Sequence, residues 1–507
     1  MSQWTAFLLP PAVALGGMRL MRLVLGPEYH ARHGTGLRFA VGLGVGMLIC
    51  TQALLLGTLA GFDVARWIAV AALAWGAVEL VLLVRNALNS PGRFHFRFHR
   101  TQLWLLLLLP LAFYFWVFGR LSVLEGTMEF DAAVHWLAKS KFLYLQHGRE
   151  FMGLAQTPRL AYLHWDYPLL VPALYTLNYG LAGQVDEFTT KVWPFWMNLS
   201  LCLAVLSLGN TWRRPHLLPI ATVTVLCFLP ATLFYVHGEG GTMPMVFYAG
   251  LAALLIVRAL GKGDLTTLAA AIPILAGGGM SKFEGMIYAG LWCCLLLPVC
   301  WRRRWLKEPI VIRTAGLALL CLVPYLAFRL EKPMLHPESA WPKAALQSPG
   351  TALAKFPGIL EVGIARRLFH QDFATWTETP DGSLQWSGQW QGWRSFSNDH
   401  LYMLPWLSLL LLAISLWRKR HPMPLLCLTG VVFGVFAVVC LVLACLPQLF
   451  PQGTDAAFIL GKTGDDMSRY FYPFFTAWFL GIVSMWFGEA TVPDTQEPSP
   501  SKAVGSK

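Results

Sequence analysis

Apolar runs long enough to cross a bilayer recur along most of this chain, and no other feature constrains its fold as strongly. A crossing helix needs about 17–25 predominantly apolar residues, because backbone polar groups inside hydrocarbon must be satisfied within the segment. About thirteen such runs are read, centred near residues 15, 48, 75, 110, 200, 226, 250, 272, 292, 319, 409, 435 and 479. Composition agrees: 56% of the 507 residues are hydrophobic and 13% charged, against roughly 25% charged in soluble domains. Mean hydropathy is +0.52. The expected fold class is an all-α polytopic membrane protein.

The net charge of +12 sits in short clusters between apolar runs, a distribution that argues against a nucleic-acid partner. Most of the ten Cys lie inside apolar runs without metal-ligand spacing, so they read as small hydrophobes. No cleavable leader is expected, since the first run near Trp4 to Leu25 lacks a basic start and contains Pro10-Pro11. Basic clusters follow every second run: Arg19 to Arg38, Arg85 to Arg100, Arg213-Arg214, Arg258 with Lys262, Arg302 to Arg304, and Arg418 to Arg420. The positive-inside bias places these in the cytoplasm. The starting Met then faces outward and the tail 489–507 inward.

The expected organisation is N-terminal helices over 1–100, a core over 101–328 with a first outer loop at 119–191, a large outer loop at 329–400, and C-terminal helices over 401–488. Carboxylates, cations and aromatics gather on the outer face. A transporter places its polar site nearer the midplane, within broken or repeated helices, and no internal repeat is evident here.

In the first outer loop, Asp131 suits the start of a short helix lying along the membrane, where a carboxylate meets free N–H groups and the positive dipole end. At α-helical spacing His135 and Lys139 fall about 40° and 80° round from Asp131, on one face. Trp136, Phe142 and Tyr144 read as headgroup-boundary anchors. A carboxylate beside a cation suits proton abstraction from a hydroxyl next to a bound phosphate; equally, Asp131 is an N-cap and the lysines snorkel. A second patch, His164-Trp165-Asp166-Tyr167-Pro168, either lines a site or forms an ordinary turn. The run from Leu169 to Ala182 is short for a crossing and is expected at the interface.

These residues resemble the GT-C superfamily of membrane glycosyltransferases, which use polyprenyl-phosphate-linked sugars and include the protein O-mannosyltransferase and aminoarabinose transferase types. The bacterial pattern W-D-x4-W-x2-K-A-K, H-P-D-Y-P-L-L-x-P, D-E-x3-K is similar to Phe130-Asp131 with Trp136 and Lys139-Ser140-Lys141, then His164 to Pro172, then Asp186-Glu187 with Lys191. Met280-Ser281-Lys282-Phe283-Glu284-Gly285 is similar to a T-K-x-E-G stretch, and Arg469 to Pro473 to R-x3-P. The likeness covers about residues 101–300 and, more weakly, 455–488. Phe130, Ser140 and Trp165 depart from it.

The resemblance implies an inverting glycosyltransferase in the cytoplasmic membrane, with its site facing the periplasm or exterior. Its donor is a polyprenyl-phosphate-linked sugar, its acceptor a glycolipid, polysaccharide or protein, and membrane lipid surrounds it. Asp131 is the implied general base. Lys139, Lys282 and Arg469 are favoured for the donor phosphate, each with a plainer reading as a headgroup cation or, for Lys282, as half of an internal pair with Glu284. His135, His164, Asp166, Tyr167, Glu239 and Glu284 are expected to line the site or meet the acceptor. Glu239 either orients the acceptor, holds a divalent cation, or is a lone turn carboxylate; no cofactor is otherwise expected.

The large outer loop carries Trp341, Trp376, Trp386, Trp390 and Trp393 with no clean helix or strand period, and an amphipathic stretch from Leu353 to Phe369. Its aromatics suit sugar rings or plain interfacial packing. Two other functions fit parts of the pattern. A polysaccharide polymerase or ligase would depend on Arg and His within 330–400, and a lipid-linked sugar transporter on charges lining the membrane interior.

Overall fold

The computed structural model describes residues 3–89, 108–124, 132–165, 167–208, 217–229, 240–331, 343, 346–347, 349–368, 371–378, 380, 384–390, 403–418, 422–449 and 471–487. Eight helices are long and apolar enough to cross a membrane: Trp4–Leu25, Thr35–Leu59, Ala65–Asn86, Glu187–Leu208, Thr242–Lys262, Phe283–Arg302, Pro309–Leu330 and Pro422–Cys445. The chain is a multi-pass membrane protein. Five shorter apolar helices, Leu108–Leu124, Leu217–Phe228, Leu265–Gly279, Leu404–Trp417 and Phe471–Ser484, occupy the other apolar runs. At 1.5 Å per residue, twelve residues reach only about 18 Å, short of the roughly 30 Å hydrocarbon core. All thirteen runs are therefore helical, and among the described residues eight of these helices have the length of a span.

We number the helices α1 (Gln3–Leu25), α2 (Pro27–Arg32), α3 (Thr35–Leu59), α4 (Ala65–Leu88), α5 (Leu108–Leu124), α6 (Ala138–Leu145), α7 (Gly148–Ala155), α8 (Leu170–Ala182), α9 (Val192–Leu208), α10 (Leu217–Phe228), α11 (Thr242–Lys262), α12 (Leu265–Gly279), α13 (Phe283–Arg302), α14 (Pro309–Leu330), α15 (Pro349–Leu368), α16 (Met403–Trp417), α17 (Pro422–Leu449) and α18 (Phe471–Ser484).

The centre of the bundle is α3, which packs on α1, α8, α9, α12 and α14. Glycine makes the closest of these approaches. A Cβ on Gly17 of α1 would overlap the Gly42 carbonyl oxygen of α3, and one on Gly46 would overlap the Val13 carbonyl. Lipid tails are as apolar as side chains, so helices associate in a bilayer through this kind of tight backbone contact. Gly42→Val should force α1 off α3 and cost about 1–3 kcal/mol, read as a lower unfolding temperature in detergent. By contrast α4 exposes Trp67, Val81 and other large apolar residues, as suits a lipid-facing helix. It is tied to α1 by an Arg19–Glu79 ion pair at 3.6 Å, which gives these two charges in apolar helices a partner each.

At one end of α12, the buried His33 has Nδ1 2.9 Å from the Tyr29 carbonyl and Nε2 2.7 Å from the Thr267 hydroxyl. Thr267 donates to Asp264, the N-cap of α12. This polar tie fixes the α1–α3 connection against α12, whose far end leads to Lys282.

Two expectations change. The segment Leu170–Ala182 does not lie on a surface: residues 170–181 are buried, and α8 packs on α3, α4 and α6. A short apolar helix is compatible with full burial when protein surrounds it. The large loop also contains regular structure. Its α15 packs on α17, and Gln371–Glu378 pairs antiparallel with Leu384–Trp390, setting Trp376 opposite Trp386 with an irregularity between Phe373 and Thr375. Pro380-Asp381-Gly382 between the strands is the turn signal that a search for periodicity overlooks.

Candidate active site

Four segments far apart in sequence meet at one end of the bundle. The first begins at Ala132, one residue after Asp131, with a π-helical turn over Ala132–Leu137 that runs directly into α6. Its i→i+5 bonding widens the turn, so α-helical angles do not carry across it to relate His135 and Lys139. What brings these two together is a second segment. The His135 ring stands edge-on to the His164 ring at 4.8 Å between centroids, and Lys139 Nζ donates to the His164 carbonyl at 3.1 Å.

His164 ends a 3-10 turn (Pro158–Leu163) in the left-handed region, φ 53° and ψ 59°. That conformation is unfavourable for a residue with a Cβ and persists where its surroundings enforce it. Here the His164 carbonyl accepts from both Tyr167 N (2.9 Å) and Lys139. The His164 ring stacks on Tyr167 at 4.9 Å, and Tyr167 stacks on Trp136 at 5.8 Å.

Lys139 lies beneath these rings, 0% exposed, with its ammonium 4.8 Å from the Trp136 ring centre and 5.6 Å from that of Tyr167. A buried ammonium is costly unless carbonyl oxygens and π faces replace its water. Trp136 is 4% exposed, so it is part of this cage and not a headgroup anchor; nor does Lys139 snorkel. Nearness in sequence is the local signal for the contact of Trp136 with Lys139. The contact with Tyr167 has no such signal.

The third segment is the start of α11. A Cβ on its N-cap, Gly241, would come within 2.7 Å of the Trp136 ring, so glycine lets the helix N-terminus abut the cage. The fourth is the turn between α12 and α13. Leu170 N donates to the Met280 carbonyl at 3.3 Å, which joins this turn to the His164 segment. Ser281 is fully buried and donates to the Gly278 carbonyl at 2.7 Å. Lys282 is the N-cap of α13, and its Nζ lies 3.6 Å from Glu284 Oε1 in the first turn of that helix. The internal pair anticipated for Lys282 and Glu284 is present.

The remaining motif residues scaffold this end. Lys141 pairs with Glu187 at 2.6 Å, an exposed contact that contributes little. Asp186 accepts from Phe188 N at 3.0 Å and caps a 3-10 turn. Lys191 is buried; Asn178 donates to the Thr189 carbonyl at 2.6 Å and accepts from Trp193 Nε1 at 3.2 Å. Within α6, burial and the neighbouring Asp63 push the Tyr144 phenol above its ordinary pKa.

The structure thus brings together His135, Lys139, His164 and Tyr167, and ties Lys282 and Glu284 to them through the backbone. Asp131, Asp166, Glu239 and Arg469 lie outside the described residues. Among the described residues no three His, Cys, Asp or Glu side chains gather so as to hold a metal ion. Compared with family models, with curated proteins and with solved structures, the chain gives no match in any of the three.

Proposed function

We propose that this protein is an inverting glycosyltransferase of the GT-C type, moving a sugar from a polyprenyl phosphate to a glycan, lipid or protein acceptor at the outer face of the cytoplasmic membrane. Its thirteen apolar helices would then all belong to the membrane domain, with the shorter ones buried among the long.

One observation carries the reading. The described parts of three segments that bear the resemblance (130–141, 164–172 and 280–285) come together at one end of the bundle, with the N-termini of two long helices, α11 and α13, directed there. Helix N-termini favour anions, and Lys139 and Lys282 add two positive charges in a poorly solvated setting, where electrostatic effects are large. That setting suits a lipid phosphate. Lys139, enclosed by Trp136 and Tyr167, acts in this scheme through its field, and Lys282 by contact.

In the reaction, Asp131 takes the proton of the acceptor hydroxyl as its oxygen attacks the anomeric carbon. The bond from that carbon to the phosphate oxygen breaks, the electron pair leaves with the lipid phosphate, and the anomeric centre inverts. The leaving group needs no proton, so one base, nearby cations and positioning suffice. In this scheme His135 and His164 line the acceptor side.

Comparative mass analysis of lipid-linked sugars and surface glycans, in cells with and without the protein, tests this. Loss of the protein should make one polyprenyl-phosphate sugar accumulate and leave one glycoconjugate short of that sugar. Unchanged pools of both would end the proposal.

A further inference from the structure

The Lys282–Glu284 pair is an unusual ion pair. Both side chains are nearly covered, at 11% and 6% exposure, yet nitrogen and oxygen stand 3.6 Å apart. A charge-assisted N–H···O bond measures about 2.7–2.9 Å, so Coulomb attraction holds this contact without a good hydrogen bond. The second carboxylate oxygen, Glu284 Oε2, is buried and accepts no hydrogen bond. Nearby donors are spent elsewhere: Ser281 Oγ on the Gly278 carbonyl, Gly285 N on the Lys282 carbonyl. A buried pair repays its desolvation only with close geometry and satisfied lone pairs, and this one has neither. Glu284 also sits in the first turn of the 20-residue α13, where the dipole favours its charge whether or not Lys282 touches it.

We propose that Glu284 is a positioning residue that parks the Lys282 ammonium and yields it to the donor phosphate as the sugar–phosphate bond breaks. This rests on the glycosyltransferase reading above. The donor phosphodiester carries one negative charge and the departing polyprenyl phosphate two. Against a single charge Glu284 competes evenly for the ammonium; against a dianion it loses. The attraction of Lys282 to the phosphate is therefore stronger late in the reaction than at the start, the only kind of interaction that accelerates the chemical step. Afterwards Glu284 draws the ammonium back and eases release of the lipid phosphate.

The test measures binding of farnesyl phosphate, a short polyprenyl monophosphate, to the full-length protein in detergent, with farnesol as the neutral control. Glu284→Gln should bind farnesyl phosphate about tenfold more tightly than wild type, leave farnesol unchanged, and remain folded with at most a modest drop in unfolding temperature. In turnover the same variant should show stronger inhibition by farnesyl phosphate. Glu284→Asp, which keeps the charge, should stay near wild type. Lys282→Gln should bind more weakly, and adding Glu284→Gln to it should restore nothing. Unchanged or weaker binding by folded Glu284→Gln, or a gain that survives without Lys282, overturns the parking role and leaves the donor reading standing. If wild type binds farnesyl phosphate no better than farnesol, the donor reading falls and takes the parking role with it.

Discussion

On the proposed glycosyltransferase reading, Asp131→Asn should cut sugar transfer about 10²–10⁴-fold while leaving expression, membrane insertion and donor binding at wild-type levels. Asparagine has nearly the size of aspartate and caps a helix about as well, so the substitution itself gives the chain little reason to misfold. What it removes is the ability to take a proton. General-base catalysis is worth about 10²–10⁴ in rate, so transfer to a labelled acceptor should fall by that factor while binding of the lipid donor stays constant. A variant that transfers normally would move the chemistry away from this loop, towards the polymerase or ligase reading and its Arg and His residues within 330–400.

Gly285→Ala should have the largest effect on folding of any single methyl near the site. A Cβ at this position would overlap the Gly278 carbonyl oxygen and approach Met245 Sδ within 2.8 Å. The carbonyl belongs to the last turn of α12, and backbone cannot swing aside as a side chain can. The start of α13 must lift away from α12, at the upper end of the roughly 1–3 kcal/mol that overpacking costs. That movement carries Lys282 and Glu284 with it. Folded yield and unfolding temperature should drop together, and whatever protein survives should bind a polyprenyl phosphate poorly. Normal stability would mean that α12 and α13 stand further apart at this turn than the structure has them.

Apolar run length located the helices because it depends on neighbouring residues alone. The pairing of Lys282 with Glu284 was also legible, being two residues apart beside a glycine-rich helix end. The cage round Lys139 was not. It needs Tyr167 and the left-handed His164, whose place beside Trp136 is decided by tertiary packing. Trp136 looked like a membrane anchor because an amphipathic aromatic near a lysine has the same local signature whether it meets headgroups or a buried ammonium. The facing of His135 and Lys139 was inferred with α-helical spacing, and a π-helical turn breaks that assumption. The hairpin at 371–390 escaped notice because its evidence lies in the turn residues and not in periodicity.

The central position of α3 bears on how the molecule is made. This helix packs on the preceding α1 through Gly42 and Gly46, yet its other glycines meet segments far downstream: Gly36 abuts the Leu203 carbonyl, and Gly44 faces Ile274 and Phe247. During biogenesis α3 has only α1 beside it until the later helices are threaded, and the face bearing Gly36 and Gly44 then exchanges lipid for protein. Assembly around α3 is therefore completed only once those downstream helices have arrived. A chain that stalls before α12 would leave that glycine seam open to lipid and to other nascent helices.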